Sequence, residues 1–150
     1  MINKISATTA LAVAAAVAAA ASSALARTAS VPHSLVATWG KSISLATWKK
    51  NHITDESPGH YAIVIAKGGL TNMYHGNDPT MASVSIPFTN MHATVAGHTI
   101  TFSATADGAC PSSGSYHWAL SGRKLNLTLL KDTCAPRKVL MTAGPFTLEH

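Results

Sequence analysis

The chain has 150 residues, a formal net charge of +5, and 6 acidic residues against 11 Lys and Arg. So few carboxylates (Asp55, Glu56, Asp78, Asp107, Asp132, Glu149), most of them in turn-like segments, argue against paired-carboxylate hydrolysis. The cations are scattered, with no basic run, which argues against a nucleic-acid partner.

Met1 to Lys4 is a short basic start, Ala10 to Ala21 is an apolar alanine-rich run, and Ala24-Leu25-Ala26 has the small-residue pattern of a cleavage site. This order predicts a signal peptide over 1–26 and a secreted or periplasmic product, cleaved near Ala26. The apolar run is too short and too rich in alanine for a comfortable spanning helix, so no stable membrane anchor is expected. Residues 27–34 read as an N-terminal leader with Pro32 against regular structure. Residues 35–150 read as one domain.

The segment 35–40 reads as the first strand. Ser42 or Ser44 is placed to cap a short helix running to Lys50. Residues 51–59, with Pro58 and Gly59, read as a loop. Tyr61, Ile63 and Ile65 then alternate with smaller residues. Gly68-Gly69 marks a hairpin turn, and 70–74 is the return strand. A turn over 75–79 leads to a weaker strand over 81–88. Residues 93–96 and 99–103 flank a Gly97-His98 turn, and Asp107-Gly108 is another turn. Two alternating runs, 114–120 and 124–130, flank Gly122. The segment 137–142 reads as the last strand, with 146–148 continuing or following it. Eight or nine short strands at regular spacing predict an all-β fold, an antiparallel up-and-down β-barrel of about eight strands.

Cys110 and Cys134 lie twelve residues on either side of Gly122. Folding that hairpin brings them together, which predicts a disulfide and fits an oxidising compartment. The apolar residues set the register. Tyr116, Trp118 and Leu120 must face the same side as Leu125, Leu127 and Leu129, which allows two registers: Leu120 paired with Leu125 across a Gly122-Arg123 turn, or a shift of two that pairs Trp118 with Leu125. The cysteines are out of step with either register by one residue. A bulge is therefore expected within 111–114.

Catalytic signatures are missing. There is no G-x-S-x-G elbow, no phosphate-cradling glycine loop, no H-E-x-x-H and no C-x-x-C. No catalytic residue, cofactor or metal is expected. The eight histidines lack ligand spacing, and the nearest approach to a ligand set is His60 with His75, if their hairpin pairs them. Trp118 reads first as a core filler and second as a ligand contact. Trp39 and Arg137, on the expected first and last strands, read as a barrel-closing cation–π pair.

Ala37-Thr38-Trp39 is similar to the glycine-x-tryptophan start of lipocalins, with alanine in place of the glycine. Arg137 resembles the arginine that packs on that tryptophan. The stretch Gly114-Ser-Tyr116-x-Trp118, Gly122, Leu125-x-Leu127, Asp132-Thr-Cys134-x-x-Arg137 resembles small secreted lipocalin-like bacterial proteins. The middle lipocalin motif, threonine-aspartate-tyrosine, is absent. The resemblance implies a calycin-type barrel.

The expected function is binding of a small apolar or aromatic molecule inside the barrel. Tyr61, Ile63, Ile65, Phe102, Tyr116, Trp118, Leu127 and Leu129 would line it, and the Tyr61 and Tyr116 hydroxyls would orient the ligand. The alternative is a secreted protein-interaction module with a sealed core, meeting a protein partner through loops 51–59, 75–80 and 104–113. A cofactor-free isomerase or cyclase working in the cavity is the third reading.

Overall fold

The computed structural model describes residues 30–76, 90–106 and 108–149. The expected signal peptide, the strand expected over 81–88 and Asp107 lie outside the described residues. No described helix is long and apolar enough to cross a membrane.

Eight antiparallel strands close into a barrel in chain order: β1 (Ala37–Ile43), β2 (Gly59–Ile65), β3 (Leu70–His75), β4 (Met91–Ala96), β5 (Thr99–Phe102), β6 (Gly114–Ser121), β7 (Lys124–Lys131) and β8 (Phe146–Leu148). The all-β, up-and-down expectation is met. Helix α1 (Leu45–Lys50) follows β1 and helix α2 (Ala135–Thr142) follows β7. Both lie at the end of the barrel where β1 and β7 finish; we call this the lidded end. The opposite end, the open-turn end, carries the N-terminal segment and the hairpin turns after β2, β4 and β6.

Strand alternation sets the core. Inward positions include Trp39, Lys41 and Ile43 on β1, opposite Ile63, Tyr61 and Gly59 on β2. Ile63 and Ile65 face Met73 and Thr71 on β3, and Thr71 faces Met91 on β4. Ile100 faces Tyr116, while Leu125 faces Phe146. A 3-10 turn, His33–Leu35, precedes β1 and buries Leu35 at the open-turn end, where the Trp39 indole donates to the Leu35 carbonyl at 3.0 Å.

Two short helices close the lidded end. Ser44 caps α1, its hydroxyl accepting from the Thr47 amide at 3.2 Å, and Trp48 is the buried residue of that helix. Trp48 meets the Tyr61 ring edge-on at 5.8 Å. In α2, Arg137, Leu140 and Met141 are buried at i, i+3 and i+4 spacing. This corrects the expected last strand over 137–142. Pro136 at the first turn presets helical φ and suits a helix start, and the closing strand is β8, which pairs with β1 through Trp39–Leu148 and Gly40–Thr147.

Of the two registers allowed, the stapled hairpin takes the one with the Gly122-Arg123 turn. Leu120 pairs with Leu125, Trp118 with Leu127 and Tyr116 with Leu129, and Gly122 turns at φ +57°. The bulge lies elsewhere than expected. Ser115 pairs with Lys131, so Leu130 of β7 is the extra residue, not one within 111–114. The disulfide Cys110–Cys134 joins the loop before β6 to the residue that caps α2, with the Cα atoms 5.4 Å apart. Replacing both cysteines by serine should lower stability by about 3 kcal/mol, as expected for cross-linking a loop of this size. A urea titration of the two forms measures it.

Candidate functional site

The most connected polar cluster is buried at the lidded end. Asp132 follows β7 and accepts from the Cys134 amide at 2.8 Å, which starts α2. From the first turn of that helix, Arg137 reaches back. Its Nε donates to Asp132 Oδ2 at 2.7 Å and its Nη2 to Oδ1 at 3.0 Å, a bidentate pair with no exposed side-chain surface. Nη1 donates to the Ser103 carbonyl at 3.0 Å and Nη2 to the Ser112 carbonyl at 2.6 Å. The Tyr116 hydroxyl completes the cluster by donating to Asp132 Oδ2. A Cβ at Gly114 would overlap the Asp132 carboxylate, so glycine leaves the space that this cluster fills.

The electrostatics follow from burial and hydrogen bonding. Burial alone would raise the Asp132 pKa, but hydrogen bonds from Arg137, Tyr116 and the Cys134 amide, with the Arg137 charge, hold it below the usual carboxylate range. Burial first, then the bond to Asp132 and its charge, push the Tyr116 phenol up. The cluster is fully paired and stays in one protonation state near neutral pH. Its chemistry is structural.

Lys41 is the second buried ion. Alternation on β1 points it inward, and it is 8 % exposed. Its Nζ donates to the Gly144 carbonyl at 3.0 Å and lies 3.9 Å from the Phe146 ring centroid. Loss of hydration lowers its pKa to about 7. On the outside of the same seam, His60 Nε2 and Glu149 Oε1 are 2.6 Å apart. They bridge over Gly40, where a Cβ would collide with both.

The structure distributes the expected site residues as follows. Tyr61, Ile63, Ile65, Phe102 and Tyr116 face inward and are fully buried or within 1 % of it, and Leu127 is buried on the same face. Trp118 is half-buried at the open-turn end. Its indole donates to the Gly97 carbonyl at 3.1 Å, and its ring packs on His98 at 5.2 Å. Leu129 departs from the expected lining: it is 39 % exposed, beside the bulge residue Leu130 at 56 %. Both tyrosine hydroxyls already have protein partners, Tyr61 donating to the Ser57 carbonyl and Tyr116 to Asp132. Burial and the nearby Glu56 charge push Tyr61 up to about 12.

The expected barrel-closing pair is also corrected. Arg137 sits on α2 rather than on the last strand, and its guanidinium is committed to Asp132 and the two carbonyls. Among the described residues, the cation–π contact is that of Lys41 with Phe146. His60 and His75 do not meet as a ligand pair. His60 faces Glu149, while His75 stacks on Tyr61 at 4.5 Å. No group of three metal-capable side chains assembles among the described residues.

Sequence reasoning passed over Lys41 and Asp132. Lys41 has the parity of Trp39 and Ile43, which was the available signal. Asp132, two residues before the helix cap and three before Ala135-Pro136, had the spacing of a helix entry.

Together, these features define a closed eight-stranded antiparallel barrel with short helical lids, a shape consistent with a calycin-like fold. No protein-family model matches the chain, and no curated protein or solved structure is significantly similar to it.

Two predictions follow from the buried ions. Asp132→Asn should cost about 3–5 kcal/mol, because it leaves the buried Arg137 charge without its counter-ion. In the wild type the contribution of Asp132 is complete above the ordinary carboxylate range and is lost as pH falls through its depressed folded value. Acid titrations of both forms by circular dichroism test this. For Lys41, the unfolded chain binds the proton more tightly than the folded protein. Stability should therefore rise with pH from about 7 to the ordinary lysine value of 10.5. The gain should be on the order of 5 kcal/mol, and Lys41→Met should abolish it. Urea midpoints measured across that window are the readout.

Proposed function

We propose that this is an exported barrel whose interior is its own core, and that it serves as a compact protein-interaction module. The observation behind this reading is the state of the inward side chains. Tyr61, Ile63, Met73, Met91, Ile100, Phe102, Tyr116, Leu125 and Phe146 have no exposed surface. A cavity wide enough for one water would expose its lining, so none borders these residues. Eight strands give a barrel just wide enough to be filled by side chains or to hold one small ligand. Large aromatics and methionines here favour filling. Trp48 and Arg137 add side chains buried over the lidded end.

Recognition then belongs to the outside. The bulge turns Leu129 and Leu130 both toward solvent, and Leu45 on α1 is 44 % exposed at the same end. Lys49, Lys50, Lys131 and Lys138 belong to the same end. A protein partner with an apolar patch rimmed by acidic groups fits that surface. The disulfide supports an oxidising compartment for this encounter.

Native mass spectrometry of the mature protein from its secretion medium should give the mass of the polypeptide alone. Cross-linking in that medium should capture a protein partner, and the pair Leu129→Asp and Leu130→Asp should abolish capture while leaving the circular dichroism unchanged. A stoichiometric apolar small molecule in the native mass, or capture indifferent to both substitutions, would overturn the proposal.

A further inference from the structure

The end of the barrel away from the lids carries a groove that neither the core nor the lidded end uses. The N-terminal segment crosses beneath the β2–β3 turn and the start of β4. Between them lie two adjoining chambers of about 420 and 540 Å³. The first is lined by Lys67, Gly68, His92, Ala93 and Thr94, and the second by Pro32, His33 and Val36. Ser30, Val31 and Lys67 line both. These volumes lie in the range of small-molecule sites.

The lining has one kind of polar side chain in excess. Its walls are apolar at Val31, Pro32, Val36 and Ala93, and its ionisable groups are Lys67, His33 and His92, with no carboxylate among them. The Lys67 ammonium and the rings of His33 and His92 make no hydrogen bond or ion pair with any described residue.

The groove is also held in shape. The Gly69 amide donates to Ala66 at 2.8 Å, which closes the turn that carries Lys67. The Gly69 carbonyl accepts from the Ala93 amide at 2.7 Å and from the Thr71 hydroxyl at 3.0 Å, tying that turn to β4. Gly69 has φ +86°, and a Cβ there would come within 2.6 Å of the His92 ring. Glycine therefore permits the turn and leaves His92 its place beside the groove.

We propose that this groove binds a small amphipathic anion, an organic carboxylate whose apolar part lies along Val31, Val36 and Ala93 and whose carboxylate meets Lys67 and the histidines. Charge complementarity decides the class: a neutral ligand offers the ammonium no opposite charge, and a cation meets the Lys67 charge with no carboxylate in the lining to balance it. The site is independent of the protein-binding end, so the two proposals can fail separately.

Titration of the mature protein with octanoate, followed by amide and histidine-ring NMR shifts, tests it. Saturable shifts are expected at Lys67, Gly68, His92, Ala93 and Thr94, with little change in Leu129 and Leu130. Octanol, of the same length but neutral, should bind on the order of tenfold more weakly, and Lys67→Gln should weaken octanoate by a similar factor. Lys67 is an exposed turn residue, so this variant keeps the fold, and His92→Gln provides a second one. Absence of saturable shifts, equal shifts with octanol, or affinity untouched by both substitutions would overturn the assignment.

Discussion

The buried Asp132–Arg137 pair is the constraint on which the lidded end depends. A guanidinium without exposed surface is tolerable only when its donors and its charge are satisfied together. Here, one carboxylate takes two of the donors and two backbone carbonyls take two more. Those carbonyls belong to Ser103, directly after β5, and Ser112, just before β6. The arginine therefore ties the long β5–β6 loop, the end of β7 and the start of α2 into one unit. The disulfide acts on the same unit by a different means. It joins Cys110 of that loop to Cys134 at the helix cap. The covalent link limits how far the unfolded loop can roam, while the ion pair selects one packing of the folded loop.

Filling the barrel has consequences for what it can present. A core of Trp39, Tyr61, Phe102, Tyr116 and Phe146, packed to zero or near-zero exposure, gives a rigid wall with little freedom to re-form around a guest. Lys41 is the exception inside that wall. Its methylenes pack like an aliphatic side chain, while its amine rests over Phe146 and meets the Gly144 carbonyl. The connection from α2 into β8 is thus held by a group whose charge is costly to bury. The exposed apolar surface lies outside, at the bulged leucines of β7, and the groove lies beneath the β2–β3 turn.

The strands were legible because they follow local rules. Tyr61, Ile63 and Ile65 alternate, Gly69 and Gly122 occupy left-handed turn positions, and Ser44 sits one residue before a helix. The parity of the β6–β7 register was legible because a slip by one residue would set apolar residues such as Trp118 against polar ones, while the choice between the two registers of that parity was left to the structure. The bulge was foreseen in kind and misplaced. Either strand can absorb an extra residue, and Leu130 offers no local signal that separates it from Leu129. Arg137 was misread for a related reason. Val139 and Met141 alternate as a strand would, while the helical set Arg137, Leu140 and Met141 includes a charge that periodicity counts as exposed.

Alternation, turn chemistry and the spacing of two cysteines determined by themselves the class of fold, most of its strands and the staple, because each depends on residues near one another or on one face of a strand. Only the tertiary structure decided that inward side chains such as Tyr61, Phe102 and Phe146 have no exposed surface, that Arg137 and Lys41 are buried, and that His33, Lys67 and His92 share a groove. Those features depend on volumes and on pairings between distant segments, such as Arg137 with the Ser103 carbonyl or Lys41 with the Gly144 carbonyl. Whether a barrel has room at its centre depends on how its side chains interlock across the axis, and no pattern along a single strand records that.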